Sequence, residues 1–146
     1  MEQTSFHSSI LKEYDIRGIV DQTLFERDAY WIGRCFGHLT RESAGSAVAV
    51  GQDVRLSSQK LSTALIQGFC DSGVDVYYLG IVSTPLLYFA EYVLPVHSAV
   101  MVTGSHNPPP HNGFKFNLHR KPFFGDSLHS FSELLTKPLS EGNGKV

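Results

Sequence analysis

Short β-rich apolar runs alternate with longer amphipathic stretches along this chain, a pattern typical of a sheet covered by helices. The predicted strands cover residues 16–20, 47–50, 74–79, 98–103 and 113–117. The predicted helices cover residues 23–43, 57–73, 84–93 and 127–136. The pattern therefore predicts an α/β fold, a three-layer α/β/α domain around a small mixed, largely parallel sheet.

Local signals indicate where two of the helices begin. Thr23 is followed three residues later by Glu26, which is the spacing of a capping box. Thr84 is followed by Pro85, and proline is favoured in the first turn of a helix. We therefore expect Thr23 and Thr84 to be N-cap residues.

Several aromatic residues lie at helical spacing and are predicted to belong to the core rather than to a stacking platform. They are Phe36, Phe69, Tyr88 and Phe89. An alternative for the third helix is that its apolar face, around Leu86, Tyr88 and Tyr92, contacts another domain.

The run Gly-Ser-His-Asn-Pro-Pro-Pro-His-Asn-Gly at residues 104–113 interrupts the pattern, because neither a helix nor a central strand accommodates it. Ligands of such sheets bind on the loops that follow the strands. Ser105 follows a glycine that permits a tight turn, and three prolines restrict the rest of the loop. The sequence therefore predicts a rigid, exposed loop that presents the Ser105 hydroxyl.

Two kinds of chemistry use a serine presented in this way. The sequence around Ser105 is not the Gly-x-Ser-x-Gly elbow of hydrolases, and His106 is too close in sequence to serve as the base of a triad. A serine that carries phosphate instead needs hydrogen-bond donors and cations, because phosphate adds a charge of about −1.5 to −2. Lys115 and Arg17 are the candidate cations.

Composition excludes several classes of function. The chain has 146 residues, of which 42% are hydrophobic and 18% charged, as expected for one globular domain. Its 12 basic and 14 acidic residues give a net charge of −2, which offers no footprint for nucleic acid or an anionic membrane. Residues 1–13 lack the features of a signal peptide, no apolar run spans a bilayer, and the two cysteines are predicted to be reduced. These features predict a cytoplasmic protein.

Four motifs then resemble those of one enzyme family, the α-D-phosphohexomutases. They are Tyr14-Asp15-Ile16-Arg17-Gly18, Gly51-Gln52-Asp53-Val54-Arg55-Leu56-Ser57, Gly80-Ile81-Val82-Ser83-Thr84-Pro85, and Thr103-Gly104-Ser105-His106-Asn107-Pro108-Pro109 with Asn112-Gly113-Phe114-Lys115. The last closely resembles the phosphoserine loop of the family, and the order and spacing of the others agree. The variant is similar to the bacterial phosphomannomutase and phosphoglucomutase branch.

The resemblance implies an intramolecular phosphotransferase that interconverts hexose 1-phosphate and hexose 6-phosphate through a hexose 1,6-bisphosphate. Ser105 would carry the phosphoryl group and contact Mg²⁺ through its phosphate. Arg17, His106 and Lys115 would stabilise charge or move the hydroxyl proton, and either His106 or Lys115 would be the base. Tyr14, Arg17 and Lys115 would bind the substrate.

The same resemblance implies that the chain is part of a larger enzyme. The family carries its Asp-rich metal loop, its sugar-selecting Gly-Glu loop and its phosphate-clamping Arg-Ser-Gly-Thr loop in later domains, and this sequence contains none of them. Residues 1–137 are expected to be domain I, and residues 138–146 a linker to the later domains of the same chain. We expect the fragment alone to be inactive. Its sugar, mannose or glucose phosphate, is not readable without the sugar-selecting loop.

Two other functions remain open. A non-catalytic sugar-phosphate-binding or regulatory module would carry no phosphate on Ser105, and a phosphatase with a seryl intermediate would release inorganic phosphate. The three histidines around the loop, His106, His111 and His119, match no standard zinc spacing. His111 and His119 are therefore predicted to be surface or hydrogen-bonding residues.

Two arginines also have structural interpretations. Arg17 without its motif would be a surface cation or a partner of Asp15 or Asp21. Arg55 is either a structural residue, such as an ion-pair partner of Asp53, or a functional one.

Overall fold

Strands and helices alternate through most of the chain in the computed structural model, which describes residues 5–146. The first four residues of the predicted domain at 1–137 therefore lie outside the described residues. The elements are β1 (Ile16–Ile19), α1 (Glu26–Glu42), β2 (Ala47–Gln52), α2 (Leu56–Asp71), β3 (Asp75–Ile81), α3 (Thr84–Val93), β4 (Ser98–Val102), β5 (His111–Leu118), β6 (Lys121–Phe123) and α4 (Asp126–Leu134).

The strands form one mixed sheet in the order β1-β5-β4-β2-β3, and β6 pairs with β5. The neighbouring strands β4, β2 and β3 are parallel to one another. Strand β5 runs antiparallel to its neighbours β4, β1 and β6, so it alone opposes the common direction of the strands described. The predicted α/β fold with a mixed, largely parallel sheet is confirmed.

Alternation along the strands builds a core on each face of this sheet, because successive side chains point to opposite faces. Side chains of β2 and β4 that face α1, α2 and α4 belong to the larger core, namely Val48, Val50, Val100 and Val102. The intervening residues Ala49, Ala99 and Met101 pack with Leu87 of α3 in the smaller core. The sheet is therefore the middle of three layers.

Helices α1 and α2 pack backbone to backbone on the larger core. A Cβ atom on Gly33 would lie 2.3 Å from the carbonyl oxygen of Leu65, and one on Gly68 would lie 2.1 Å from that of Tyr30. Only glycine permits this approach. The contact fixes α2, whose first turn lies beside the loop that follows β4.

The β5–β6 hairpin was not predicted. Its turn residues His119 and Arg120 both have positive φ, 49° and 63°. Hairpin turns whose residues have positive φ usually carry Asn-Gly or Asp-Gly. A proline such as Pro122 is also unfavourable in most strands, so the sequence around it did not predict one. Pairing with β5 outweighed both signals, because Pro122 lies on the edge strand β6.

Both predicted N-caps are wrong. Helix α1 begins at Glu26 after Phe25, whose amide donates to the Asp28 carboxylate at 2.8 Å. The Thr23 hydroxyl instead accepts a hydrogen bond from the amide of Ile19. Helix α3 is capped by Ser83, one residue before Thr84. Threonine side chains can bond to nearby backbone in turns as well as at caps, so the local pattern was ambiguous.

The aromatic prediction holds for α1 and α2 and fails for α3. Phe36 and Phe69 are fully buried, whereas Tyr88 is 38% and Phe89 60% exposed. The reason is that α3 packs on one side only, and its buried residues are Leu87, Ala90 and Glu91. The alternative, that the outer face of α3 contacts another domain, stays a prediction.

Residues 138–146 lie against the end of α2 and the start of β3. Gly142 and Gly144 donate to the carbonyls of Asp71 and Cys70, and the amide of Val76 donates to Lys145. Both cysteines are free. Across residues 5–146, no helix has the length and apolar character needed to cross a membrane.

Candidate functional site

Ser105 is exposed on the loop between β4 and β5, as expected, and its backbone has an unusual conformation. Its φ of 54° lies in the left-handed region that favours glycine. Its amide donates to the Thr103 hydroxyl at 2.8 Å. A non-glycine residue held in this region costs about 1 kcal/mol or more, and such residues cluster at functional sites.

The hydroxyl of Ser105 lies 3.1 Å from Nδ1 of His106, within hydrogen-bonding distance. A hydrolytic triad also needs a carboxylate that orients the histidine. His106 takes part in none of the ion pairs found within residues 5–146. The contact therefore joins a serine and a histidine without the third member of a triad.

Arg17 is buried beside the start of the loop. Its Nη1 donates to the carbonyl oxygen of Thr103, and its Nη2 lies 2.7 Å from the Asp15 carboxylate. Asp21 pairs instead with Lys60 at 2.9 Å. The interpretation of Arg17 as a surface cation is wrong, because only 6% of the residue is exposed.

Lys115 and Arg17 lie on the same face of the sheet. Their strand neighbours Phe114 and Ile16 belong to the larger core, so the two cations face the α3 side. Lys115 is opposite Met101 on the strand that leads into the loop. Within the described residues, Lys115 makes no ion pair, which leaves its charge available to a ligand.

Tyr14 lies outside this group. It precedes β1, whose other end, Ile19, pairs with His111 next to the loop. The Tyr14 ring is 68% exposed, and its centroid lies 5.8 Å from that of Phe124. Its predicted role in binding substrate stays a prediction.

Asp53 ties the end of β2 to the start of the loop. Its Oδ2 accepts hydrogen bonds from the Thr103 hydroxyl and the Gly104 amide, both at 2.9 Å. Its Oδ1 accepts from the Ser58 hydroxyl and the Arg55 amide. Burial acts to raise the pKa of Asp53, but these four hydrogen bonds outweigh it and lower the pKa.

Arg55 holds the loop from the other side. Its guanidinium donates to four backbone carbonyls, those of Ser105, Asn107, Pro108 and His111. Its Nε lies 3.5 Å from Oδ2 of Asp53, which confirms the predicted ion pair. The sequence did not indicate the carbonyl contacts, because a loop carbonyl leaves no signal in residue identity.

Asn112 is a second residue whose role the sequence analysis missed. The side chain is fully buried, and its amide donates to the hydroxyls of Ser57 and Ser58 at 2.8 and 3.0 Å. Its Oδ1 accepts from the amide of Gly113. These contacts join the start of β5 to the start of α2. One signal in the sequence could have drawn attention to Asn112, because it begins the motif that ends at Lys115.

His119 and His111 have different surroundings. Nε2 of His119 lies 3.0 Å from the carbonyl oxygen of Ser43, as expected for a hydrogen-bonding residue. Nδ1 of His111 is buried and has no hydrogen-bond partner among the residues described. In residues 5–146, no cluster of three His, Cys, Asp or Glu side chains could hold a metal ion.

Residues 8–129 match the family described as phosphoglucomutase/phosphomannomutase, alpha/beta/alpha domain I. The chain belongs to this family. The match covers all elements from β1 to β6 and the whole Ser105 loop.

Individual relatives agree with this assignment. The chain is 44% identical over 140 residues to a phosphomannomutase/phosphoglucomutase of Pseudomonas aeruginosa, covering 95% of this chain and 30% of that protein. It is 40% identical over 141 residues to a phosphoglucomutase of Neisseria meningitidis serogroup B, covering 97% of this chain and 31% of that protein.

A crystal structure of a phosphoglucomutase/phosphomannomutase family protein from Burkholderia thailandensis has the same fold. It superposes with a TM-score of 0.89 at 39% identity, covering 99% of this chain and 33% of that one. The chain thus spans about a third of the length of these relatives.

Proposed function

We propose that Ser105 carries a phosphoryl group and that the chain is the phosphoserine domain of a phosphomannomutase/phosphoglucomutase. The observation that supports this most directly is the left-handed backbone of Ser105, which presents an exposed hydroxyl on a loop fixed by Asp53 and Arg55. Glycine would adopt this conformation more readily. A serine there is explained by a need for its hydroxyl.

The proposed reaction is phosphoryl transfer in two directions. The free hydroxyl of a hexose phosphate attacks phosphorus, the bond from phosphorus to the Ser105 Oγ breaks, and the proton of the attacking hydroxyl passes to a base. The hexose 1,6-bisphosphate then returns its other phosphoryl group to Oγ. The net result interconverts hexose 1-phosphate and hexose 6-phosphate and restores the phosphoserine.

Arg17 and Lys115 supply positive charge on the α3 side of the sheet. Phosphoryl transfer depends mainly on positioning and on stabilising charge at the phosphoryl oxygens. Arg17 is fixed at the start of the loop by Thr103 and Asp15, and Lys115 has no competing carboxylate within the part described. We propose that Arg17 and Lys115 bind the anionic substrate.

The base is His106 or Lys115, and the pH dependence of transfer distinguishes them. The His106 ring touches the Ser105 hydroxyl, whereas Lys115 lies on β5, opposite Met101 of the strand that leads into the loop. If His106 is the base, His106→Gln abolishes the acidic limb of the profile and Lys115→Arg preserves it. If Lys115 is the base, Lys115→Arg abolishes the acidic limb of the profile and His106→Gln preserves it.

The resemblance also implies Mg²⁺, which would reach Ser105 through its phosphate. The ion prefers several oxygen ligands, including carboxylates. Among residues 5–146, the one carboxylate that accepts hydrogen bonds from the loop, that of Asp53, is already occupied by four donors. The residues described therefore do not form a magnesium site by themselves, and the role proposed for Ser105 above involves only this chain's own groups.

The proposal is tested by the intact mass of the full-length protein, with the later domains that the relatives have, after incubation with a hexose 1,6-bisphosphate. We expect the mass of one phosphoryl group to be added, with fragmentation placing it on Ser105. Ser105→Ala should gain nothing, and Ser130→Ala, which removes a partly buried serine of α4, should behave like the wild type. Unmodified wild-type protein would contradict the proposal and favour a non-catalytic module.

The substrates and later domains are proposed from the relatives. Their names include both phosphomannomutase and phosphoglucomutase, so mannose and glucose phosphates are both candidates. We expect no isomerisation of either sugar phosphate by this chain alone, because the family's later loops are outside it. Sustained turnover would contradict that expectation, and release of inorganic phosphate would favour a phosphatase.

A further inference from the structure

We propose that Arg55 is the positioning residue of the Ser105 loop, holding it in the conformation from which the phosphoryl group is transferred. The effect of this positioning on phosphoryl transfer rests on the proposed function. Its structural part, control of the loop conformation by Arg55, stands on contacts within the chain and can be tested separately.

Both Nη groups of Arg55 donate to backbone carbonyls of the loop. Nη1 lies 2.8 and 3.0 Å from the carbonyl oxygens of Pro108 and His111. Nη2 lies 3.1 and 2.6 Å from those of Ser105 and Asn107. The four N–H groups of Nη1 and Nη2 are thus matched to four carbonyl oxygens, and Nε lies 3.5 Å from the Asp53 carboxylate as an ion pair.

The loop cannot supply these interactions from its own backbone. Its three consecutive prolines have no N–H group to donate. Within the loop, the amide of Asn107 donates to Gly104 and the amide of His111 donates to Pro108, both at 3.0 Å. The side chain of Arg55 therefore adds twice as many contacts as these two backbone hydrogen bonds.

The packing around Gly104 shows how closely the guanidinium fits. A Cβ atom at Gly104 would lie 2.0 Å from both Cζ and Nε of Arg55. Any other residue at this position would displace the guanidinium from the loop. Gly104 thus serves the contact with Arg55 as well as the turn before Ser105.

The arrangement favours a phosphorylated serine in two ways. The Ser105 carbonyl, whose position depends on the unusual φ of that residue, is fixed by Nη2. The guanidinium also meets the negative ends of four peptide dipoles close to a group that would carry a charge of about −1.5 to −2. Arg55 therefore reduces repulsion within the loop while fixing the direction of the hydroxyl.

A role limited to the start of α2 or to the ion pair with Asp53 would leave these contacts unexplained. Arg55 precedes Leu56, the first residue of α2, but its side chain does not cap the helix. The ion pair uses Nε alone. The four Nη hydrogens are directed at the loop, which is the part of the chain that carries Ser105.

The test compares amide hydrogen exchange in the unphosphorylated chain for wild type, Arg55→Ala, Arg55→Lys and the control Arg41→Ala. Arg41 also donates to a backbone carbonyl, that of Gly73, on a different part of the molecule. We expect the Asn107 and His111 amides to exchange at least about tenfold faster in both Arg55 variants, because lysine has only three donors. Arg41→Ala should leave them unchanged.

Chemical rescue separates positioning from a general effect on folding. Guanidinium added to Arg55→Ala, far below denaturing concentrations, should slow exchange of the two loop amides again, whereas ammonium should not. Amides of β2 and β4 should stay protected throughout. If Arg55→Ala does not fold, the same comparison is made with Arg55→Lys. Unchanged loop exchange in the folded variants overturns the proposal.

A phosphorus NMR titration tests the link to the phosphoserine. In the full-length protein phosphorylated with a hexose 1,6-bisphosphate, the second pKa of the phosphate should rise in Arg55→Ala relative to Arg41→Ala, because a nearby positive charge is lost. An equal pKa in the two variants contradicts a role toward the phosphate. If wild type takes up no phosphate but loop exchange responds as expected, the proposed function fails while the structural role of Arg55 stands.

Discussion

Oδ2 of Asp53 accepts a 2.9 Å hydrogen bond from the hydroxyl of Thr103, joining the ends of the adjacent parallel strands β2 and β4. The same oxygen accepts from the next amide, that of Gly104. The direction in which the chain leaves β4, and therefore the position of Ser105, depends on this carboxylate.

Replacing Asp53 by asparagine should destabilise the domain, because the new amide group cannot accept the hydrogen bonds that one carboxylate oxygen accepts. We expect a loss of about 2 kcal/mol in the free energy of unfolding, measured with urea. The control Glu133→Gln, which removes an exposed pair with Lys137, should change it by less than about 0.5 kcal/mol. Equal small effects would show that the Asp53 contacts contribute little.

The same carboxylate predicts a dependence of stability on pH. The pKa of Asp53 is lowered in the folded state, so its contribution is present above the unfolded pKa of about 3.9 and is lost as pH falls toward the folded pKa. Unfolding measured between neutral and strongly acidic pH should show wild type losing more stability below about pH 4 than Asp53→Asn. Parallel profiles would contradict the lowered pKa.

Glu91 on α3 should have the opposite effect to Asp53 on the pH dependence of stability. It is 2% exposed, Oε1 accepts from Asn117 at 2.6 Å, and Oε2 has no partner in the described chain. Burial raises the pKa of Glu91, so the ionised carboxylate is less favourable in the folded state than in the unfolded chain. Glu91→Gln keeps the acceptor for Asn117 and should raise the free energy of unfolding by about 1 kcal/mol at pH 7.

The pH dependence of that gain provides the check. Because the folded pKa of Glu91 lies above its unfolded value, lowering the pH protonates the folded state first and relieves the penalty. The difference between wild type and Glu91→Gln should therefore shrink as pH falls toward about 4. A difference that is constant with pH would attribute the effect to packing instead.

The left-handed backbone of Ser105 predicts that glycine at this position gives a more stable protein than alanine, the reverse of their order in a helix. With φ at 54°, Ser105→Gly relieves strain that Ser105→Ala keeps, so the glycine variant should be more stable by about 1 kcal/mol. The matched pair at Ser130 in α4 should show the reverse order by about 1 kcal/mol, because glycine is the poorer helix former. The same order at both sites would contradict the left-handed conformation. Denaturant unfolding of the four variants measures both differences.

Prediction from sequence succeeded where the signal is local. The apolar periods of 47–50 and 98–103 identified the central parallel strands, and the prolines identified the loop. The β5–β6 hairpin was missed because Pro122, His119 and Arg120 give no hairpin signal. Tyr88 and Phe89 were misassigned because helical spacing does not show whether a second layer covers the helix.

The candidate site divides in the same way. Ser105 was found because glycine and proline around a serine have meaning in sequence. Arg55 was left between a structural and a functional interpretation, and Asn112 was not singled out. Both residues act on groups distant in sequence, Arg55 on carbonyls 50 to 56 positions away and Asn112 on hydroxyls at the start of α2.

By itself, the amino-acid sequence determined the α/β pattern, the exposed loop and the residue at its tip, because hydrophobic periodicity and backbone restriction act between near neighbours. The tertiary structure alone decided which groups hold that loop, since backbone carbonyls are the same in every residue. Only folding brings the guanidinium of Arg55 to the backbone carbonyls of the Ser105 loop. It also brings the carboxylate of Asp53 to the amide of Gly104, the first residue of that loop.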